Sequence, residues 1–321
     1  MTQQAKKRQH YVPQFYLNSF ASKRKKNFKI TFYDKVSKSD VPVNVRDVAQ
    51  ENKFYNVTAQ NFKETFGFEP PSDYNEQELE DTFSVYEGQW ATVFREISER
   101  YEKEKISNKF QFPFISSSEK KSLSSFIALQ AIRTPAFRDR ANLLSGFLEK
   151  NLDNELAALF KDRQYDDAHF YIHILSGVLD RLSENFLDNF NWVCAFSEKP
   201  LITSDNPLAQ IFHLKNRSQY NGKDWPEPPY FEEYSIALTP NILLILSHKN
   251  DEGFESLIPK SDFLLTDHLH IRYTRYHIIN SSRKIFFFDK TELKYIKKRI
   301  SYMIQNKENY LDNTKFIVSA P

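Results

Sequence analysis

The 321 residues carry 44 Lys and Arg against 42 Asp and Glu, and 40% of them are apolar. That length supports one large domain or two modest ones around a buried core, and the apolar fraction argues against wholesale disorder. One cysteine, six glycines and the lack of any run of about 18 apolar residues exclude an internal disulfide framework, a multi-Cys zinc or iron–sulfur site, Rossmann or P-loop phosphate cradles and a transmembrane helix.

The opening MTQQAKKRQH leads into no apolar stretch, so no secretory signal is expected and the cytoplasm is the expected location. Residues 1–30 hold eight Lys and Arg (Lys6, Lys7, Arg8, Lys23, Arg24, Lys25, Lys26, Lys29) and no acid. The other residues carry 36 basic against 42 acidic side chains. A basic arm on an acidic body points to a polyanionic partner, nucleic acid above all, or else to a solubilising terminus.

Pro13 suits the first turn of a short helix that presents Phe15, Tyr16, Leu17 and Phe20. Phe28–Tyr33 and Val41–Val45 alternate like strands, and Phe66–Asp73, with Gly67, Pro70 and Pro71, reads as a loop. From Glu76 the period becomes helical, with Leu79, Phe83, Tyr86, Trp90, Phe94, Ile97 and Tyr101 on one face. Ser116–Ser118 supply N-cap candidates for a second helix with Leu123, Phe126, Ile127 and Phe137 in its stripe, and Thr134-Pro135 predicts its kink or end. A third helical run covers Asp166 to Leu187. Trp192–Phe196 and Leu201–Thr203 then read as strands. Tyr234–Leu238 and Ile242–Leu246 form a hairpin about Thr239–Asn241, and Ile285–Phe288 is a further strand. Thr291–Asn309 closes the chain as a helix with a basic face of Lys294, Lys297, Lys298 and Arg299. The expected organisation is one α+β domain over 1–321: a basic arm and short strands (1–65), a helical region (76–189), and strands with a closing helix (190–321).

Chemistry-bearing residues fall in four places. His10, in His10-Tyr-Val-Pro13, stands before a Pro-started helix inside the basic arm, where an imidazole can be general base, metal ligand, phosphate contact or simple cap. Gln130 and Arg133 interrupt the second stripe on a shared face, which predicts burial and therefore a carboxylate or phosphate partner for the guanidinium. Glu80 and Glu87 flank the first stripe, and Glu87, with rings on both sides of it, can pair with Arg133, hold a divalent cation or act as a base. Thr203-Ser-Asp-Asn-Pro207 places Asp205 and Asn206 at a strand end, as site residues or as an Asx-type turn. Weaker signals are His268 and His270 alternating along a possible strand, His169 and His173 four apart on a helix, Asn280 as a buried amide, and Cys194 as a core thiol.

Four segments together carry a family resemblance: His10-Tyr-Val-Pro-Gln-Phe-Tyr-Leu-Asn-Ser-Phe20, Gln130-Ala-Ile-Arg-Thr-Pro135, Ile202-Thr-Ser-Asp-Asn-Pro207 and Ala237-Leu-Thr-Pro240. The chain resembles, from about residue 9 to 290, the bacterial family catalogued as domain of unknown function 4238. The resemblance implies a bacterial cytosolic protein and groups His10, Gln130, Arg133, Asp205 and Asn206, with Glu87 and Asn280 beside them. It implies no reaction.

The leading functional expectation is a metal-dependent phosphodiester hydrolase of nuclease type. Asp205 and Glu87 would hold Mg²⁺ or Mn²⁺, with His10 as base or ligand. Arg133 would offset charge on phosphate, and Gln130 and Asn206 would position substrate. The rivals are a non-catalytic module for nucleic acid or an anionic ligand, and an interaction protein that uses exposed aromatics. No membrane partner is expected.

Overall fold

The computed structural model describes residues 8–24, 27–107, 109–142, 177–214, 230–249, 260–288, 290–306 and 317–319. Lys6, Lys7, Lys25 and Lys26 lie outside them. Strands at both ends of the chain and helices between them give the α+β architecture expected from the pattern. Strand β1 (Arg8–His10) pairs antiparallel with β5 (Gln50–Asn52). A second sheet runs β2 (Ser22–Arg24), β3 (Asn27–Asp34), β12 (Lys284–Phe287), β7 (Thr203–Ser204), with β4 (Asp40–Asn44) also on β3. The N-terminal strands thus share a sheet with strands from near the other end of the chain. The third sheet orders β11 (Phe263–Leu264), β6 (Phe190–Phe196), β10 (Ile242–His248), β9 (Tyr230–Thr239), β8 (Ala209–Leu214) and β13 (Ile317–Ser319). Central strand β10 is apolar without alternation because both of its faces are covered: Ile242 to Leu246 are all at 0% exposure.

Helix α1 (Gln14–Asn18) follows Pro13, and α2 (Ala59–Phe66) ends on Gly67 in the left-handed conformation, φ 77°. The long helix α3 (Glu78–Ser107) buries Leu79, Phe83, Trp90, Phe94, Ile97 and Tyr101, the expected stripe. Tyr86 differs: it is exposed and stacks on Trp90 at 5.6 Å. Helix α4 (Ser117–Ile132) starts at a capping box in which Ser116 and Glu119 satisfy each other's backbone N–H. It stops before Thr134-Pro135, as the proline demands, and helix resumes at 135–142. Rings of Phe15, Tyr16, Phe94 and Phe126 meet where α1, α3 and α4 converge.

Helix α5 (Val178–Asn189) is the end of the run expected over Asp166–Leu187; residues 166–176, His169 and His173 among them, fall outside the described part. One expectation is corrected. His268 and His270 lie on helix α6 (Asp267–Asn280), not on a strand. The Thr266 side chain caps its start by accepting from Leu269 N, and a His-Leu-His alternation is too short to outweigh a 14-residue helix. His268 is exposed, whereas His270 is buried and its Nε2 meets Pro200 O at 3.2 Å. The closing helix α7 (Lys290–Gln305) lays Ile296, Ile300 and Met303 into the core.

Candidate functional site

The His10 segment is held from two directions. From one side, Tyr11 N donates to Ala49 O at 3.0 Å, and Ala49 adopts φ 49°, a left-handed turn that brings β5 alongside β1. Gln9, fully buried, donates to Asn56 Oδ1 (2.7 Å) and accepts from Tyr55 N (2.6 Å). From the other side comes Arg133, the residue that closes α4. Its guanidinium donates to Tyr11 O (Nε, 2.7 Å), His10 O (Nη2, 2.8 Å) and Glu87 Oε1 (Nη2, 3.0 Å), with the Phe83 ring 5.7 Å away. The burial expected for Arg133 is met, since its side chain has 0% exposure, and the carboxylate it needs is Glu87. A buried cation fits here because two carbonyls and a carboxylate replace its water.

Asp205 is equally enclosed. Its Oδ1 accepts from Ser282 N at 2.8 Å, and its Oδ2 accepts from Arg283 N (2.9 Å) and Lys284 N (2.8 Å). Burial pushes this carboxyl up, against the pull of those three donors and of the Lys35 ammonium. Lys35 is buried as well, donates to Ile278 O (3.1 Å) and Ser281 O (2.5 Å) at the end of α6, and is lowered by burial to about 8. Asn206 and Asn280 lock reciprocally: Asn206 Nδ2 donates to Asn280 O (2.9 Å), and Asn280 Nδ2 donates to Asn206 O (2.6 Å) and Leu208 O (2.9 Å). Thr134 Oγ1 donates to Asn206 Oδ1 at 3.1 Å, and Arg140 Nη2 to Asn280 Oδ1 at 3.3 Å, which ties the restart of helix after Pro135 to α6. Tyr16 completes the knot, with its hydroxyl 2.6 Å from Thr203 Oγ1 and donating to Ala237 O at 2.8 Å. Hydrogen bonds therefore link the four segments singled out in the sequence into one network.

The chain belongs to the DUF4238 family. The matching family model is described as "Protein of unknown function (DUF4238)" and covers residues 8–291. No curated protein and no solved structure matches the chain. In this DUF4238 chain the family-spanning stretch ends at α7, so all seven candidate residues lie within it.

The two expected metal ligands are engaged within the fold. Asp205 holds the turn at 282–284, and Glu87 neutralises Arg133. Among the described residues no group of three or more His, Cys, Asp or Glu side chains is placed to hold a metal ion. The imidazole of His10 has its own partners: Nε2 lies 3.2 Å from Arg46 O and Nδ1 lies 3.5 Å from Gln14 Nε2. Burial, helped by the Arg133 charge, lowers its pKa to about 4, so the ring is neutral near pH 7. Gln130 is fully buried, as expected, yet both of its amide atoms and Arg133 Nη1 find no partner among the described residues. An open cleft of about 510 Å³ lies along β5, lined by Arg8, Asp47, Gln50, Glu51 and Asn52, and none of the six predicted site residues reaches it. Cys194 is a buried thiol in β6, raised well above its ordinary pKa by burial, in line with a core role.

Tyr16, Lys35, Thr134 and Arg140 were not singled out as polar members of this hub. Tyr16 lies inside the first signature segment, which was the available signal. Nothing local in the sequence marks Lys35. A second buried polar layer was also missed: His213 on β8 meets Glu233 on β9 at 3.1 Å, while His277 on α6 lies 3.4 Å from Ser235 Oγ.

Proposed function

We propose that the protein is a non-catalytic nucleic-acid-binding module. In this reading the signature residues are its scaffold, and basic side chains outside the hub make the contacts. The observation that carries it is how the hub's polar atoms are used. Asp205 accepts from three backbone N–H groups, Arg133 donates to two carbonyls and a carboxylate, and Asn206 pairs with Asn280. Groups so engaged fix a fold more readily than they turn over a substrate. The partner class follows from charge: eight Lys and Arg without an acid in residues 1–30, on a body with excess acid. Among the described residues, no helix is long and apolar enough to cross a membrane.

Fluorescence anisotropy with labelled DNA and RNA oligonucleotides, in EDTA and in Mg²⁺, tests the reading. Binding without metal, no cleavage, and an affinity that falls roughly 10²-fold between about 50 and 200 mM salt (some four phosphate contacts) are the expected results. Absence of binding at the lower salt overturns it. Cleavage in Mg²⁺ or Mn²⁺ that Asp205→Ala abolishes, with the variant still folded, restores the hydrolase.

A further inference from the structure

Two basic stretches from opposite ends of the sequence are brought onto one surface. On α7, the buried residues Glu292, Ile296, Ile300 and Met303 face inward, which leaves Lys294, Lys297 and Lys298 exposed together. Lys297 fixes where that face points. Its Nζ reaches Asp40 Oδ1 on β4 at 3.1 Å and stands 5.8 Å from the ring centroid of Tyr33 on β3. Side chains alternate along a strand, so exposed Lys29 shares the Tyr33 face, four residues and roughly 13 Å away. On the opposite face of the sheet, Lys23 Nζ lies 5.9 Å from the Phe28 ring and Lys284 Nζ lies 5.1 Å from the Phe32 ring, so these two stand apart from the α7 surface.

The charge on these elements is lopsided. Strands β2, β3, β4 and β12 with helix α7 contain nine Lys and Arg and three acids. Each acid is engaged: Asp34 by Arg283 at 2.6 Å, Asp40 by Lys297, and Glu292, buried, by Phe288 N at 3.1 Å. By contrast, the cleft along β5 carries Asp47 and Glu51 beside its single Arg8, which disfavours a polyanion there.

We infer that the exposed face of α7, with Lys294, Lys297 and Lys298, and Lys29 on the adjoining sheet, is the surface that takes the nucleic-acid backbone. The inference rests on the proposed function and adds the surface and the mode. Lysine ammonium groups are point charges without the planar fork that reads a base edge. Contacts go to phosphates, so binding is independent of sequence and steeply dependent on salt.

The test uses the full chain with Lys294→Glu and Lys298→Glu combined, against a control of equal charge change on the α3 side, Lys103→Glu with Lys109→Glu, also exposed. All four positions are at the surface, so thermal midpoints and far-UV circular dichroism should match wild type. The probes are a labelled 30-nucleotide duplex, its single strand, and vesicles containing phosphatidylserine. The α7 variant should bind both nucleic acids at least tenfold more weakly, with a log–log salt slope shallower by about 2, and the control should bind nearly as wild type. Equal losses in both variants would mean that net charge, not this face, governs binding, and would overturn the inference. Wild-type binding left intact in the α7 variant overturns the inference alone and leaves the proposed function standing. Wild type that binds neither oligonucleotide removes both, and selective vesicle binding assigns the face to anionic lipid instead.

Discussion

Two buried polar layers differ in how their charges are held. Around Arg133 and Asp205, ionised groups are met mostly by backbone: carbonyls of His10 and Tyr11 for the cation, N–H groups of residues 282–284 for the anion. Beneath α6 the partners are other side chains, His213 with Glu233 and His277 with Ser235, and His277 Nδ1 has no partner among the described residues. Backbone groups cannot titrate or change rotamer, so in the first layer only the side-chain half of each such contact can change its charge. In the second both halves are side chains, and burial lowers the His277 imidazole to about 4.

Several variants can break or sharpen that contrast. Arg133→Ala empties a fully buried guanidinium site and takes the donor from the His10 and Tyr11 carbonyls, while Glu87, partly exposed, keeps access to water. The substitution should lower unfolding free energy by about 3–5 kcal/mol in urea titrations, with Arg133→Lys recovering only part, since an ammonium cannot span all three acceptors. A loss below 1 kcal/mol would mean that the hub contributes little. Acid should act through His277. His277 is lowered by burial to about 4, against an ordinary 6.5 in the unfolded chain. The unfolded state therefore binds the extra proton first, and stability present above pH 6.5 is lost as pH falls towards 4, by about 3 kcal/mol from this group. His277→Gln should flatten that limb of the urea midpoint against pH. His10, with the same direction of shift, contributes to the part that remains. If the limb is unchanged in His277→Gln, the α6 layer is not the acid-sensitive one.

Asn206→Ala and Asn280→Ala should each cost about 1–3 kcal/mol, because each leaves buried carbonyls or an amide unpaired. Their double-mutant cycle should show coupling well above 0.5 kcal/mol, and additivity would deny the reciprocal pair. Tyr16→Phe, which removes a hydroxyl shared by Thr203 and Ala237, should cost about 1 kcal/mol by thermal or urea denaturation.

The stripes on α3 and α4 were readable because burial imposes a period, and the stop at Thr134-Pro135 because proline removes a donor. Glu87 was readable as a partner of Arg133 because a buried cation requires an anion, whereas the bond from Arg133 to the His10 carbonyl is a backbone contact that no side chain announces. Roles were harder to read. Asp205 looks the same in sequence whether it binds a metal or three amide N–H groups, and those donors at 282–284 lie far along the chain without any identifying side chain. Lys35 was hidden for the same reason, since its acceptors are carbonyls of residues 278 and 281. His268 and His270 misled because two alternating residues sample a helix as well as a strand.

The pairing of β3 with β12 sets the order in which the molecule can be made. Asp34 meets Arg283 across 249 residues. On the ribosome β3 therefore emerges long before the strand that completes its sheet, and its open edge waits through the synthesis of every helix from α2 to α6. That pairing cannot form until residues 284–287 have been made, and a chain stopped before residue 284 would leave the β12 edge of β3 open as a template for aggregation.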